Sequence, residues 1–128
     1  MYTFNKTFSD TSFESAVTRT KAALSARGFG VLTEIDVKQT MKAKLNADIA
    51  DYLILGACNP AMAHKAIGLE PRVGAMLPCN VIVRSIGEQT VEVSAIDPVA
   101  SMRAIPNAEL HVVAAEVAGL LQAVVEAI

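Results

Sequence analysis

The fold is decided by the stretch Pro78–Ile96, which reads PCNVIVRSIGEQTVEVSAI. Apolar and polar residues alternate on both sides of Gly87, a pattern typical of two antiparallel strands joined by a turn. In the first strand Cys79 shares a face with Val83, which predicts a buried thiol, whereas Asn80 takes the opposite face. We therefore expect a β-hairpin over these residues.

The segments outside this hairpin predict alternating strands and helices. Strands are expected at Tyr2–Phe8, Phe29–Ile35 and Tyr52–Leu55, the last of them apolar without alternation and so expected to be covered on both faces. Residues that favour helix starts precede the helical patterns, and they are Thr11 (with Glu14 as a capping box), Asp36, Asn59 and Asn107. The chain is therefore predicted to be one α+β domain over residues 1–128. Its two layers would be a mostly antiparallel sheet of four to five strands and the long helices packed on it.

Composition limits the partners that the protein can have. The net charge of −2 offers no general attraction to nucleic acid. Residues Met1–Lys6 contain no apolar segment of the kind found in signal peptides, and no uninterrupted apolar run reaches the roughly 20 residues of a membrane span. We therefore expect a cytoplasmic protein with reduced thiols. Charged residues make up only 19% of the chain, below the roughly 25% that is typical, which favours self-association as a homodimer.

The two cysteines lie in near-copies of one short phrase, ACNP at 57–60 and PCNV at 78–81. Cys58 is expected where a strand runs into a helix, and the unpaired N–H groups and dipole at a helix start favour a thiolate. The alternative is that Cys58 is a small buried side chain with no chemistry. Cys79 has the same two interpretations, and the core role is favoured for it. If both are functional, the repeated phrase predicts one shared site.

Three further side chains are candidates for that site. Asn59 is predicted to cap a helix, with ligand binding as the alternative, whereas Asn80 has no obvious strand role and is expected either to bind ligand or to fasten a loop. His64 follows one helical turn after the start of its helix. With the two cysteines it gives at most three ligands and no CxxC spacing, so no metal site is predicted.

Glu34 is the remaining candidate, as a catalytic acid or base. The strand pattern places it opposite the Phe29, Val31 and Ile35 face, where it would act across the sheet near Cys58. The alternative is a surface carboxylate in a helix-cap network.

Four segments of the chain resemble a prokaryotic family, number 302 of the domains of unknown function. They are GFGVLTEID at 28–36, LGACNP at 55–60, LPCNV at 77–81 and AIDP at 95–98. The resemblance implies a small α+β domain similar in outline to the TATA-binding-protein-like folds, and dimers in at least some members. It implies no reaction and no cofactor, and the fold likeness carries no inference of DNA binding.

Three functions remain open from the sequence. The first is a domain that binds a small ligand at a pocket centred on Cys58, Asn59 and Asn80, with His64 close to it. The second is a thiol redox or thiol-transfer enzyme in which Cys58 attacks and Cys79 resolves. The third is a non-catalytic dimeric module. No phosphate-binding GxGxxG or GxxxxGK[ST] motif and no GxSxG motif is present.

Overall fold

The computed structural model describes all 128 residues, and its elements follow the predicted order. In chain order they are β1 (Thr3–Phe8), α1 (Phe13–Ala26), β2 (Gly30–Asp36), α2 (Val37–Leu45), β3 (Tyr52–Cys58), α3 (Pro60–Leu69), a 3₁₀ helix (Pro71–Met76), β4 (Cys79–Gly87), β5 (Thr90–Ile96), the one-turn α4 (Pro98–Ser101) and α5 (Ala108–Ala127). The strands form one antiparallel sheet in the order β1-β5-β4-β3-β2. The β4–β5 hairpin and the α+β class are as predicted.

The longer helices begin where a side chain accepts a hydrogen bond from a free backbone N–H. The side chains that do so are those of Ser12, Asp36, Asn59 and Asn107. At α1 the predicted cap was one residue early. The Thr11 hydroxyl instead donates to the Ser9 carbonyl at 2.8 Å, which leaves Ser12 to accept from the Ser15 N–H at 3.1 Å. A capping side chain of this kind stabilises a helix by about 1 kcal/mol.

The inner face of the sheet is the face on which α1, α3 and α5 pack. Its aliphatic side chains are excluded from solvent together with those of the helices above them. Fully buried examples are Leu55, Val81, Val83 and Val93 of the sheet and Leu24, Leu110 and Leu121 of the helices. Each such side chain contributes roughly 1.5–3 kcal/mol through removal of its surface from water. The core therefore lies between this face and the three helices.

The outer face of the sheet has no covering helix. Its central strands line an open groove of about 600 Å³, and Tyr52, Ile82 and Ile96 stay partly exposed along it. The expectation that β3 is covered on both faces was therefore wrong. Its apolar run is buried on the inner side only, and Ile54 on the outer side is partly exposed.

The edge strand β2 contains a bulge that changes which of its side chains share a face. The register shifts between Val31 and Thr33, so Ile35 and Thr33 lie opposite outer-face residues of β3 while Val31 lies opposite Ala57 of the inner face. The predicted common face of Val31 and Ile35 was therefore wrong, because an extra residue at a bulge reverses the alternation after it. Glu34 consequently lies on the helix side of the sheet.

The last helix, α5, is long and apolar enough to cross a membrane by length and composition. In the structure it packs on the inner face of the sheet, and its inward stripe includes Leu110, Val117 and Leu121. Of its most apolar window, 44% is buried. This is the environment of the central helix of a globular domain, which passes the same test for hydropathy.

Candidate functional site

Strand pairing brings the two Cys-Asn phrases to the same end of the sheet. In the antiparallel β3–β4 ladder Ala57 lies opposite Cys79 and Gly56 lies opposite Asn80. Cys58 follows directly after this pair as the last residue of β3, where the chain turns into α3. Cys58 and Cys79 thus line one cavity, although they are far apart in the sequence.

The cavity has a volume of about 40 Å³ and lies between the end of β3, the start of α3, the start of β4 and the middle of α5. Twelve of its fifteen lining residues are hydrophobic, and Asn59 is the one that carries an amide side chain. Small residues such as Ala66 of α3 and Ala114 of α5 leave the space open, because a larger side chain at either position would extend into it. The site is therefore a small apolar chamber with two thiols in its wall.

The two thiols differ in environment. Cys79 is 7% exposed, and burial raises its pKa to about 11, with a smaller contribution from the nearby Cys58 thiolate. Desolvation disfavours the charged form, so Cys79 is a neutral thiol at physiological pH. Cys58 is only partly buried. Of the two, Cys58 is the thiol that a solvent-borne reagent can reach.

Asn59 is held in the wall of the cavity by two neighbours. Its Oδ1 accepts a hydrogen bond from the Met62 N–H at 3.3 Å, which is the predicted helix cap. Gly28, which ends α1 with a φ of +81°, lies so close that a Cβ there would be 3.4 Å from Asn59 Nδ2. A glycine is favoured at this position both by the left-handed conformation and by the side chain beside it.

A second asparagine fixes the far wall. Asn107 Oδ1 accepts from the Leu110 N–H at 3.0 Å, which caps α5, and Asn107 Nδ2 donates to the Leu69 carbonyl at 3.0 Å. The end of α3 is thereby joined to the start of α5. Because α3 and α5 both contribute walls, these bonds help to set the width of the cavity.

The structure does not bring the other sequence candidates to this cavity. Asn80 is exposed on the outer face of the sheet, where it lines the open groove, and His64 is exposed on α3. Glu34 lies opposite Leu55, whereas the residue opposite Cys58 is Gly30. The Glu34 carboxylate forms an ion pair with Lys21 of α1 at 3.0 Å and is about half exposed, which matches the surface interpretation.

The lining also contains two sulfur side chains that sequence reasoning did not consider for the site. Met62 lies in the first turn of α3, four residues after Cys58, and Met102 follows α4 and is 4% exposed. The sequence signal for Met62 is its position four residues after Cys58, across the start of α3. Met102 gives no such signal, because its approach depends on how α4 folds back. The structure contains no cluster of three or more His, Cys, Asp or Glu side chains suited to a metal.

Fold and site together define a two-layer α+β domain with a thiol-lined chamber, and comparison identifies its family. The sequence profile described as "Domain of unknown function DUF302" matches residues 4–128, so the chain belongs to this family and the resemblance inferred from the motifs is confirmed. The chain is similar to the crystal structure of an uncharacterized conserved DUF302 protein from Bacillus stearothermophilus. The two are 26% identical, with a TM-score of 0.85 over 96% of each chain. A search of curated proteins finds no significant match.

Proposed function

We propose that this protein is a binding domain whose ligand occupies the chamber between Cys58 and Cys79. The observation that carries the proposal is the convergence of the two thiols on one otherwise apolar cavity. A water molecule takes up about 30 Å³ in the liquid, and a cavity of about 40 Å³ therefore admits a ligand of only a few heavy atoms. Organic ligands of drug size need roughly 300–1,000 Å³.

Within this proposal Cys58 anchors the ligand, the Asn59 amide supplies a polar contact, and Cys79 forms the inner wall. His64 and Asn80 lie outside the chamber and take no part. The redox alternative is less favoured because a resolving cysteine acts as its thiolate. With a pKa of about 11, only roughly one Cys79 side chain in ten thousand is a thiolate at neutral pH.

Labelling with methyl methanethiosulfonate, which transfers only a CH3S group to the thiol that it modifies, tests whether the site is accessible. We expect Cys58 to be modified at neutral pH in the folded protein, as read by mass spectrometry. Ala63→Leu, which adds bulk to the lining, should slow the reaction, whereas Ala61→Leu, on the exposed side of the same helix, should leave it unchanged. Equal rates in all three proteins, or labelling only after unfolding, would contradict the proposal.

The redox alternative has its own test. Mild oxidation with diamide should leave the mass of the protein unchanged if the two thiols serve only to bind. A loss of two hydrogens, reversed by dithiothreitol and absent from Cys79→Ala, would show an intramolecular disulfide and favour thiol exchange.

A second candidate function, assembly into a homodimer, is favoured by the open outer face. Ile82 and Ile96 are partly exposed there, and the oppositely charged Arg84 and Glu92 lie side by side at 2.8 Å. In a pair related by a two-fold axis, the Arg84 guanidinium of each copy can face the Glu92 carboxylate of the other. This self-complementarity supports a second copy of the chain as the occupant of the face.

The oligomeric state decides this candidate. Analytical ultracentrifugation should show a dimer for the wild type and for Val112→Glu, an exposed position on α5. Ile82→Glu should be a folded monomer, because a buried unpaired carboxylate opposes association. A monomeric wild type, or a dimer that survives Ile82→Glu, would exclude this interface.

A further inference from the structure

We infer that the ligand of the chamber is a soft monovalent metal ion, Cu(I), bound by the sulfur atoms of Cys58, Cys79, Met62 and Met102. This inference rests on the proposed function, since it names the ligand of the same cavity. No reaction is required, because the ion enters and leaves in one oxidation state.

The arrangement of sulfur in the molecule is the first observation. Both cysteines and two of the five methionines line this one cavity, although they come from three separate parts of the chain. The other methionines lie elsewhere, and of these Met1 and Met76 are exposed. Cys79 and Met102 are 7% and 4% exposed, so two of the four sulfur-containing residues of the lining are buried.

The chemistry of the lining is the second observation. The cavity wall contains no carboxylate and no imidazole, so it lacks the histidine that often joins cysteine at zinc and the charged oxygen ligands typical of magnesium and calcium sites. Thiolate sulfur is a soft donor that binds Cu(I), zinc and Fe–S clusters. Zinc sites are built from Cys, His and carboxylates, so two thioethers beside the two thiols favour Cu(I). Half of the four proposed sulfur donors are methionines, so the spacing of His and Cys residues in the sequence does not indicate the site.

Size and charge agree with an ion as occupant. A chamber of about 40 Å³ is larger than one water needs and far too small for a metabolite. Its wall carries no Lys, Arg, Asp or Glu, so the two thiols are the only source of negative charge for a bound cation. A thiol that coordinates a metal is deprotonated outright and its proton goes to solvent, which leaves the Cu(I) site with one net negative charge.

Hydrogen bonds at the two ends of α3 also fix the helix that carries Met62. The backbone N–H of Met62 donates to Asn59 Oδ1, which fixes the first turn of α3 next to Cys58. The hydrogen bond from Asn107 to Leu69 holds the other end of α3 against α5. Groups that orient the ligands in this way raise the affinity of a metal site.

A competition titration of Cu(I) against bathocuproine disulfonate, under anaerobic reducing conditions, tests the inference. We expect the wild type to take one Cu(I). Met62→Leu and Met102→Leu keep the volume and remove only the thioether, and each should weaken binding by roughly tenfold or more. Met76→Leu, a methionine outside the cavity, is the matched control and should bind as the wild type does.

Circular dichroism establishes that the leucine variants fold. X-ray absorption of the Cu(I)-loaded protein identifies which elements bind the metal and how many atoms of each, which an affinity does not. A shell of sulfur donors alone, with fewer sulfurs after Met62→Leu or Met102→Leu, supports the inference. Nitrogen or oxygen donors, affinity unchanged in both leucine variants, or affinity unchanged in Cys58→Ser would overturn it.

The labelling assay separates failure of this inference from failure of the proposed function. If methyl methanethiosulfonate reaches Cys58 through the chamber but Cu(I) does not bind, the metal is the wrong ligand and the binding site stands. If neither enters, both proposals fail. When both enter, Cu(I) should protect Cys58 from the reagent.

Discussion

The two faces of the sheet come from the same strands but meet different surroundings. In β3 Leu55 points to the inner face and is fully buried, whereas its neighbour Ile54 points outward and is partly exposed. Both are large aliphatic residues, so hydrophobicity does not decide which of them is buried. The helices determine which side chain is buried, because α1, α3 and α5 all pack on one side of the sheet. The thiol-lined chamber lies on that covered side, and the groove with its charged pair lies on the other.

The largest difference between the faces should appear when these neighbouring side chains are truncated. Leu55→Ala leaves a cavity in the packed core and should lower the free energy of unfolding by about 2–5 kcal/mol. Ile54→Ala, one residue away, should cost about 1 kcal/mol or less, since water already reaches this side chain. Urea denaturation of both variants at low protein concentration measures the difference. Equal losses would mean that the outer face is packed in solution.

The next largest effect concerns the inner-face thiol and depends on pH. The pKa of Cys79 is raised from 9.0 to about 11 in the folded protein, so the unfolded chain loses this proton first as pH rises. The stabilising contribution is therefore complete below pH 9 and is lost as pH increases towards 11. The difference of about two pKa units corresponds to roughly 2–3 kcal/mol.

Denaturation of the metal-free protein across this pH range measures the effect. Cys79→Ala should lose less stability than the wild type between pH 9 and 11, because it lacks the titrating group. Cys58→Ala should keep most of the wild-type dependence, since burial of Cys79 is the larger cause of the shift. Parallel curves for the wild type and Cys79→Ala would show that the thiol is solvated.

One position tests whether the outer face is open throughout. Gly56 is buried although its missing side chain would point outward, because a Cβ there would collide with the Thr33 hydroxyl and lie 2.8 Å from Pro78 Cγ. Gly56→Ala should therefore cost about 1–3 kcal/mol, the range for overpacking. Thr33→Ala combined with Gly56→Ala should recover part of this loss in a double-mutant cycle. A neutral Gly56→Ala would show that the strand end is looser than described.

Sequence alone was sufficient for the class of fold and for most element boundaries. The hairpin around Gly87 and the caps Asp36, Asn59 and Asn107 are local features, and local features determine where strands and helices begin. The bulge in β2 was not predictable, because Val31, Thr33 and Ile35 fit a regular strand as well as a bulged one. The choice between Thr11 and Ser12 as a cap depended on the turn before α1.

The site was less predictable than the fold, because it depends on which distant residues meet. The repeated phrase predicted one shared site, and the β3–β4 register, which brings Ala57 opposite Cys79, places both phrases at the same end of the sheet. The same register sends Asn80 to the outer face, because successive side chains in a strand alternate. Met102 lines the chamber because the one-turn helix α4 places it there. No local sequence pattern predicts this position.

The smallest expected effect tests the solvent exposure of the outer face by means of its ion pair. Arg84 lies opposite Glu92 in the β4–β5 ladder, and two of its guanidinium nitrogens donate to the same carboxylate oxygen at 3.1 and 2.8 Å. Cross-strand pairs with this exposure contribute about 0.2–1 kcal/mol, and salt at about 1 M should reduce that coupling. A double-mutant cycle of Arg84→Ala and Glu92→Ala measures it. If a second copy covers the face, association at higher protein concentration removes water from the ion pair. The coupling energy between Arg84 and Glu92 should then rise with protein concentration and depend less on salt, since desolvated charges are screened less. A coupling that is independent of both salt and protein concentration would fit neither a solvated face nor a reversible dimer.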